Sequence, residues 1–332
     1  MSREHGRYLV PAMCAAALLA VVACGSSAPS DPSTGTLAAE LSTAQAAGVL
    51  AGFDRADSAA STAGNIAGLR ADEAAPTLDD SIAAVHRAQA THAKQAPYSH
   101  SAPVFSIPAG NPGCFLVTAG LSSKGDEVAQ DDVSQFIRGS LGTWKLNLHV
   151  LIGQSAEPEL ASIGARPGTL SSAAISAARR QSIVRQIFAR TTSAPHPDLS
   201  LVASSVVLDQ QLGAGWKFYQ QGLGAGHMTV SRTLTSSQWS TCAARASGAV
   251  IAFVTIYATD TIRPLTSGPA TAALTAADPD LIGIGRHTAV RGRSILVNRV
   301  EEFLLSVPPA RNAPAAVLGL VDAPISVTAG IR

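Results

Sequence analysis

The chain has few charges, few aromatic side chains and few cysteines. Charged residues make up 14% of its 332 residues, aromatic residues make up 5%, and the formal net charge is +1 at pH 7. Binding to nucleic acid or to an anionic membrane surface through charge needs a strong basic field, so this composition argues against both modes of binding. The hydrophobic content of 46% supplies ample material for a buried core.

Short motifs that identify common catalytic chemistries are also missing. The sequence contains no His-Glu-x-x-His, no Gly-x-Ser-x-Gly, no Gly-x-x-x-x-Gly-Lys-Ser/Thr, and no calcium loop of the Asp-x-Asp-x-Asp-Gly kind. No serine stands three residues before any of the four lysines, which excludes the Ser-x-x-Lys signature of penicillin-binding enzymes. We therefore expect a protein without a cofactor or a bound metal, and we expect it not to be an enzyme.

The N-terminus has the pattern of an export signal. Arg3 and Arg7 precede an apolar run from Leu9 to Ala23, which is shorter than the roughly 20 residues needed to cross a hydrocarbon core. Ala23 followed by Cys24 resembles the lipobox of bacterial lipoproteins, in which the cysteine thiol receives a diacylglycerol and the chain is cut just before it. Ordinary signal-peptide cleavage after Ala23 is the alternative.

This pattern predicts where the protein lies. Residues 1–23 are the expected signal peptide, and residues 24–40 are the expected lipidated tether, which is rich in Ser, Gly and Pro. We expect a lipid anchor at Cys24 on the extracytoplasmic face of the cell membrane, since two acyl chains suffice for stable attachment.

Helices and strands alternate in blocks after the tether. Ser42 and Gln45 form a capping box, and apolar residues at helical spacing predict a helix of roughly Thr43 to Leu69. A second helix is expected after Pro76, with Thr77 as its N-cap. The strands predicted next are Val104–Ile107, Phe115–Leu121, Val133–Ile137 and Thr143–Ile152, the last from a clear period of two.

The second half repeats this order after a Gly- and Pro-bearing joint. Apolar residues from Ile175 to Phe188 predict one helix, and Leu199 to Leu212 predict another. The predicted strands are Met228–Leu234, Gly248–Thr259, Ser294–Val300, Glu301–Val307 and Ala316–Val327. The fold class is therefore α+β, with two helix-on-antiparallel-sheet domains at residues 41–160 and 165–332.

Several short segments resemble a family of uncharacterised actinobacterial lipoproteins that share a domain of unknown function. These segments are Leu41–Ala46, Val104–Pro108, Cys114–Val117, Gly142–Leu146 and Gly248–Phe253. The resemblance implies a surface lipoprotein with no assigned activity, and it implies no catalytic residues. Helices packed on a curved sheet also resemble the cone-shaped fold of nuclear transport factor 2 and small isomerases, a likeness of fold alone.

A few residues are candidates for a site. His149 lies on the polar side of a half-buried strand, which would line a pocket in a cone-shaped fold or face solvent otherwise. Arg286, Arg291 and Arg293 form a basic group that suits an anion or a charged hairpin loop. The acidic residues 126, 127, 131 and 132 suit a hard cation or a solvated loop. His86 and His92, six residues apart on one helix, point in different directions and cannot share a metal.

Two of the four cysteines are expected to pair. Cys14 leaves with the signal and Cys24 is lipidated, so Cys114 and Cys242 remain in a chain exported to an oxidising compartment. A disulfide between them would link the two halves; two buried thiols are the alternative.

Two function classes follow. We expect a non-enzymatic envelope lipoprotein that binds an envelope protein or a small apolar ligand. The alternative is a cone-fold isomerase or dehydratase with a His or Asp as its general base.

Overall fold

The computed structural model describes residues 41–108, 113–123, 130–152, 175–192, 200–205, 207–246, 248–265, 271–274, 281, 284 and 289–330. These residues belong to one compact unit. The predicted signal peptide, tether and Cys24 lie outside them.

Five α-helices and a π-helix are present in the described chain. They are α1 Thr43–Ala63, α2 Ile66–Asp72, α3 Thr77–Thr91, α4 Ala177–Thr191, a π-helix Val207–Ala214, and α5 Gly215–Ala225. The predicted capping box is confirmed, because Ser42 and Gln45 exchange side-chain-to-backbone hydrogen bonds. The predicted helix from 43 to 69 is two helices: Gly64 takes a left-handed φ of 63° that ends α1, and Asn65 caps α2.

The described residues contain ten strands, and eight of them overlap the predicted regions, with some differences in length. They are β1 Tyr98–Ser106, β2 Cys114–Ser123, β3 Gln130–Arg138, β4 Trp144–Ile152, β5 Met228–Ala246, β6 Ala249–Pro264, β7 Ala272–Leu274, β8 Val290–Gly292, β9 Ser294–Val307 and β10 Ala316–Gly330. The two strands predicted over residues 294–307 are one strand. The region 199–212 is not one helix: residues 203–205 have no regular structure and the π-helix follows. Helix α5 and the short strands β7 and β8 were not predicted.

Eight strands form one antiparallel sheet in the order β1-β2-β3-β4-β10-β9-β6-β5. The α+β class is therefore confirmed. The two separate halves are not confirmed, because β4 from the first half pairs with β10 from the second. The period of two predicted the strand Trp144–Ile152, but it carries no information about which strands pair.

The sheet curls so that its two ends face each other. Apolar side chains of β2, β3 and β4 form one buried cluster with side chains of β5, β6 and β9, strands that are not their neighbours in the sheet. Cys114 on β2 and Cys242 on β5 lie in this cluster with their Cα atoms 6.0 Å apart. The predicted disulfide is formed in the structure, and it fastens the second strand of the sheet to the eighth.

Helices cover the outer faces of the curled sheet. Helix α1 packs its apolar side against β2 and β3, where Phe115 and Phe136 stack with ring centroids 4.9 Å apart and Phe53 meets Phe136 edge-on. Helix α4 and the π-helix cover the outer face of β6 and β9. The sheet is therefore buried on both faces over much of its width, and polar side chains in these strands must find partners inside the protein.

Candidate functional site

Helix α1 covers the free edge of strand β1. Because β1 is an edge strand, some of its N–H groups have no partner in the sheet. Two side chains one turn apart on α1 accept them: the His100 N–H donates to Asp54 Oδ2 at 3.1 Å, and the Tyr98 N–H donates to Ser58 Oγ at 3.0 Å. This arrangement fixes Asp54 beside His100, which belongs to a buried cluster of charged side chains.

His100 lies between two carboxylates. Its Nδ1 is 2.6 Å from Asp54 Oδ1, and its Nε2 is 3.4 Å from Asp132 Oδ2. Burial alone would lower the pKa of His100, but its hydrogen bonds with Asp132 and Asp54 outweigh burial and raise the pKa to about 9. His100 is therefore an imidazolium at neutral pH.

Asp132 also contacts the second histidine of the site. It is only 1% exposed, and its Oδ1 lies 3.5 Å from Nδ1 of His149, while Ser134 Oγ donates to its Oδ2 at 2.6 Å. Burial works to raise the pKa of Asp132, but the hydrogen bonds from His100 and His149 lower it to about 2. The centre of the site is a carboxylate between two imidazolium rings.

His149 joins this centre to the other half of the sheet. Its backbone N–H donates to Glu302 Oε2 at 3.0 Å, and its side chain is 26% exposed. Burial would lower its pKa, but the contact with Asp132 and the charges of Glu302 and Asp80 raise the pKa to about 10. The five carboxyl groups whose charges act on His149 are those of Asp57, Glu73, Asp80, Asp132 and Glu302.

Asp57 and Glu73 form a pair of buried acids next to this centre. Tyr98 donates its hydroxyl to Asp57 Oδ2 at 2.5 Å, and Ser81 donates to Glu73 Oε1 at 2.8 Å. Burial, together with the charge of Asp57, raises the pKa of Glu73 to about 9. Burial also raises the pKa of Asp57, so the two acids do not both ionise readily at neutral pH.

A surface groove lies on the outer side of Asp54. This α1–β1 groove has a volume of about 740 Å³, within the range of small-ligand sites. Its lining residues are Ala51, Asp54, Arg55, Ser58, Ala59, Thr62, Ala63, Pro97, Tyr98 and Ser99. Asp54, Ser58 and Tyr98 thus face the groove and also hold the buried cluster or the edge of β1 in place.

The predicted site residues lie in different parts of the protein. His149 belongs to the buried charged cluster. Arg291 is exposed in β8, Arg293 is exposed just before β9, and Arg286 lies outside the described residues. Arg299, in the strand β9 that follows, is half-buried and pairs with Asp322 at 2.9 Å.

The prediction of an acidic loop is wrong for Asp131 and Asp132, because both residues lie in β3, where Asp132 is buried. Residues 126 and 127 lie outside the described chain.

A second charged cluster was not predicted. Arg232 on β5 binds the buried carboxylates of Asp260 and Glu301, each at 2.6 Å, and its guanidinium lies 4.6 Å from the centroid of the Trp216 ring. One signal in the sequence points to both clusters: Glu301 and Glu302 lie between Val300 and the apolar residues Phe303, Leu304 and Leu305.

No three histidine, cysteine or carboxylate side chains in the described ranges are arranged to hold a metal ion. None of the described helices is long and apolar enough to cross a membrane. Comparisons with protein-family models, with curated proteins and with solved structures give no match to the chain.

Proposed function

We propose that the chain is a lipid-anchored lipoprotein of the bacterial cell envelope whose folded body binds a ligand or a partner protein without catalysis. Support for export comes from the lipobox-like sequence at Cys24 and from the paired Cys114 and Cys242, since disulfides persist in oxidising compartments. The resemblance of short segments to actinobacterial lipoproteins agrees with this proposal.

The protonation state of His100 and His149 is the main support for the non-catalytic part of the proposal. A general base must be unprotonated near the working pH. His100 and His149 are both held as imidazolium ions by Asp132, which lies within ion-pair distance of both rings and accepts a hydrogen bond from Ser134 on Oδ2. The single carboxylate of Asp132 stabilises the charged form of both rings, and such an arrangement suits a structural role in a buried site.

The α1–β1 groove is the proposed ligand site. Four of its lining residues, Ala51, Ala59, Ala63 and Pro97, are small and apolar, so a small apolar ligand fits the surface they form. The polar groups of Asp54 and Arg55 lie in the same lining and would orient a ligand that carries a polar end.

A substitution that fills the groove tests its assignment as the ligand site. Ala59→Leu adds bulk inside the groove, whereas Ala47→Leu adds the same bulk at an exposed position of α1 outside it. We expect small apolar compounds that raise the melting temperature of the wild-type protein to raise that of the Ala47→Leu variant equally, and to lose this effect on Ala59→Leu. Equal responses of all three proteins would contradict the groove assignment.

The alternative is an isomerase or dehydratase of the cone-fold kind. A His–carboxylate contact behind a groove, and helices packed on a curved sheet, favour it. A panel of ester, peptide, glycoside and phosphate substrates, extended to isomerase and dehydratase assays, separates the two classes. We expect no turnover; turnover that disappears in His149→Ala would establish the alternative.

A further inference from the structure

Strands β4 and β10 join the two parts of the sheet. In the described residues they pair through Leu151 with Leu320 and Ile152 with Gly319, whereas β10 pairs with β9 along its whole length. A Cβ atom on Gly319 would lie 2.5 Å from the carbonyl oxygen of Leu151, so this approach requires glycine. Towards its N-terminal end β4 instead forms a parallel bridge from Leu146 to Glu73, and the Ala74 N–H donates to the Leu146 carbonyl at 2.8 Å. Helix α3 lies against both β4 and β10.

The Glu302 side chain spans the gap that the strands leave. It starts from β9, beyond β10 in the sheet, and accepts the backbone N–H of His149 on β4 at 3.0 Å. Glu302 is 1% exposed, and its other oxygen, Oε1, has no hydrogen-bond partner in the described residues. A side chain therefore replaces the sheet hydrogen bond that β10 does not make.

Ionisable groups surround this bridge on every side. Those that face Glu302 or His149 are Asp57 from α1, Glu73 after α2, Asp80 from α3, Asp132 from β3 and Tyr257 from β6. Arg87 and Asp322 act in turn on Asp80, and His100 acts on Asp132. Several of these carboxyl groups therefore interact with the same cation, the His149 ring.

We propose that the β4–β10 join, which consists of residues 151–152 paired with residues 319–320 and the hydrogen bond from His149 to Glu302, is sensitive to pH. The join stays closed while Glu302 is neutral and His149 is charged, and it opens more often as the pH rises. The opening meant here is local: β4 and its backbone amides separate from Glu302 and become hydrated, while the remaining sheet stays folded.

The direction follows from the protons that opening releases. In the closed join, burial raises the pKa of Glu302 from 4.5 to about 8, and the carboxylates around His149 raise its pKa, against the effect of burial, from 6.5 to about 10. Opening exposes both groups to water and returns both pKa values towards their ordinary levels. Each released proton favours opening about tenfold per pH unit. Proton release from Glu302 favours opening from about pH 5 to 8, and proton release from His149 favours opening above about pH 6.5. Asp132, whose pKa is lowered in the closed join, has the opposite effect on opening, but only below pH 4.

Amide hydrogen exchange on the purified full chain measures this opening. Exchange is followed between pH 5 and pH 8 in peptides from β4 and, as an internal reference, from β6, with rates corrected for the intrinsic pH dependence of exchange. We expect the opening constant of β4 to rise about tenfold per pH unit up to pH 6.5 and more steeply above it. We expect the opening constant of β6 to change far less.

Two matched variants assign the effect. Glu302→Gln keeps the size of the side chain and an oxygen that accepts the His149 N–H, but it has no proton to release. We expect it to lower the pH dependence of β4 opening by about tenfold per pH unit between pH 5 and 8. Glu301→Gln makes the same change at an equally buried neighbour that binds Arg232, and we expect the pH dependence of β4 to stay as in the wild type.

Three results would overturn the proposal. The first is a corrected β4 opening constant that does not change with pH in the wild-type protein, a measurement that needs no variant to fold. The second is an equal rise in β6, which would mean global unfolding. The third is a Glu302→Gln protein with the wild-type pH dependence.

Discussion

Removal of the Cys114–Cys242 disulfide should weaken the fold substantially. The bond closes a loop with a sequence separation of 128 residues, and the chain-entropy model gives up to about 5 kcal/mol for a loop of this length. At a denaturant slope of about 3 kcal/mol per molar urea, such a loss lowers the unfolding midpoint by about 1 to 2 M. The bond also holds the curled sheet closed, because it links β2 to β5 across the buried cluster.

Urea unfolding of three proteins measures this effect. They are the oxidised wild type, the wild type reduced while denatured and refolded with a reductant, and the Cys114→Ala/Cys242→Ala double variant. The reduced protein keeps both buried sulfur atoms, so its difference from the double variant reports lost packing, whereas its difference from the oxidised protein reports the covalent link. Thiol labelling of denatured, unreduced protein should modify neither cysteine. Labelling of either one, or midpoints of oxidised and reduced protein that agree within about 0.2 M, would refute the reasoning.

Three further predictions concern single residues. Cys24→Ala should release the protein to the medium or trap the uncleaved precursor, as seen by fractionation and mass spectrometry; a mature-sized species still in the membrane would contradict the lipobox. Asp132→Asn leaves two imidazolium rings without their shared counter-ion and should cost about 3 to 5 kcal/mol in urea unfolding, and a cost below about 1 kcal/mol would show that the pairing is weak. Gly319→Ala should destabilise the protein and speed amide exchange in β4, because its Cβ would meet the Leu151 carbonyl. Gly222→Ala, at a position on α5 with open space around it, should instead stabilise the protein by about 0.5 to 1 kcal/mol. Equal effects of the two substitutions would argue against a close approach of β4 and β10.

Local patterns in the sequence predicted most of the elements. The strict alternation from Trp144 to Ile152 gave the strand β4 almost to the residue, and Ser42 with Gln45 marked the start of α1. The helix boundary at Gly64 was missed, because apolar residues continue at helical spacing on both sides of the glycine. Helix α5 was missed because its glycines disfavour a helix, and its stability comes from burial of Trp216 and Leu223 against the sheet.

The single sheet could not be predicted from the same patterns. Alternation shows which face of a strand is buried, but it does not choose the neighbour of that strand. The pairing that unites the two halves is made by residues 151–152 with residues 319–320, and it depends on a glycine whose role is visible only when the two backbones are side by side. Each half therefore had the pattern of a complete helix-on-sheet domain.

The charged cluster was hidden because its members come from distant parts of the chain. The acidic residues that act on His149 extend from residue 57 to residue 302, and each of them, taken alone, has the pattern of a solvated surface group. His149 itself was placed correctly on the polar side of β4, but β4 is covered by α2 and α3, and no local pattern shows this cover.

One local signal does lead to both clusters. Residues 300–307 of β9 are buried throughout, so the sheet is covered on both faces there, and adjacent residues of a strand point to opposite faces. Glu301 and Glu302 must therefore lie in two different buried environments, each of which has to supply a partner or a proton. The structure supplies Arg232 on one face and the His149 backbone on the other. Two neighbouring carboxyls in an apolar strand thus predict two separate polar sites, although their partners, at residues 232 and 149, follow only from the paired sheet.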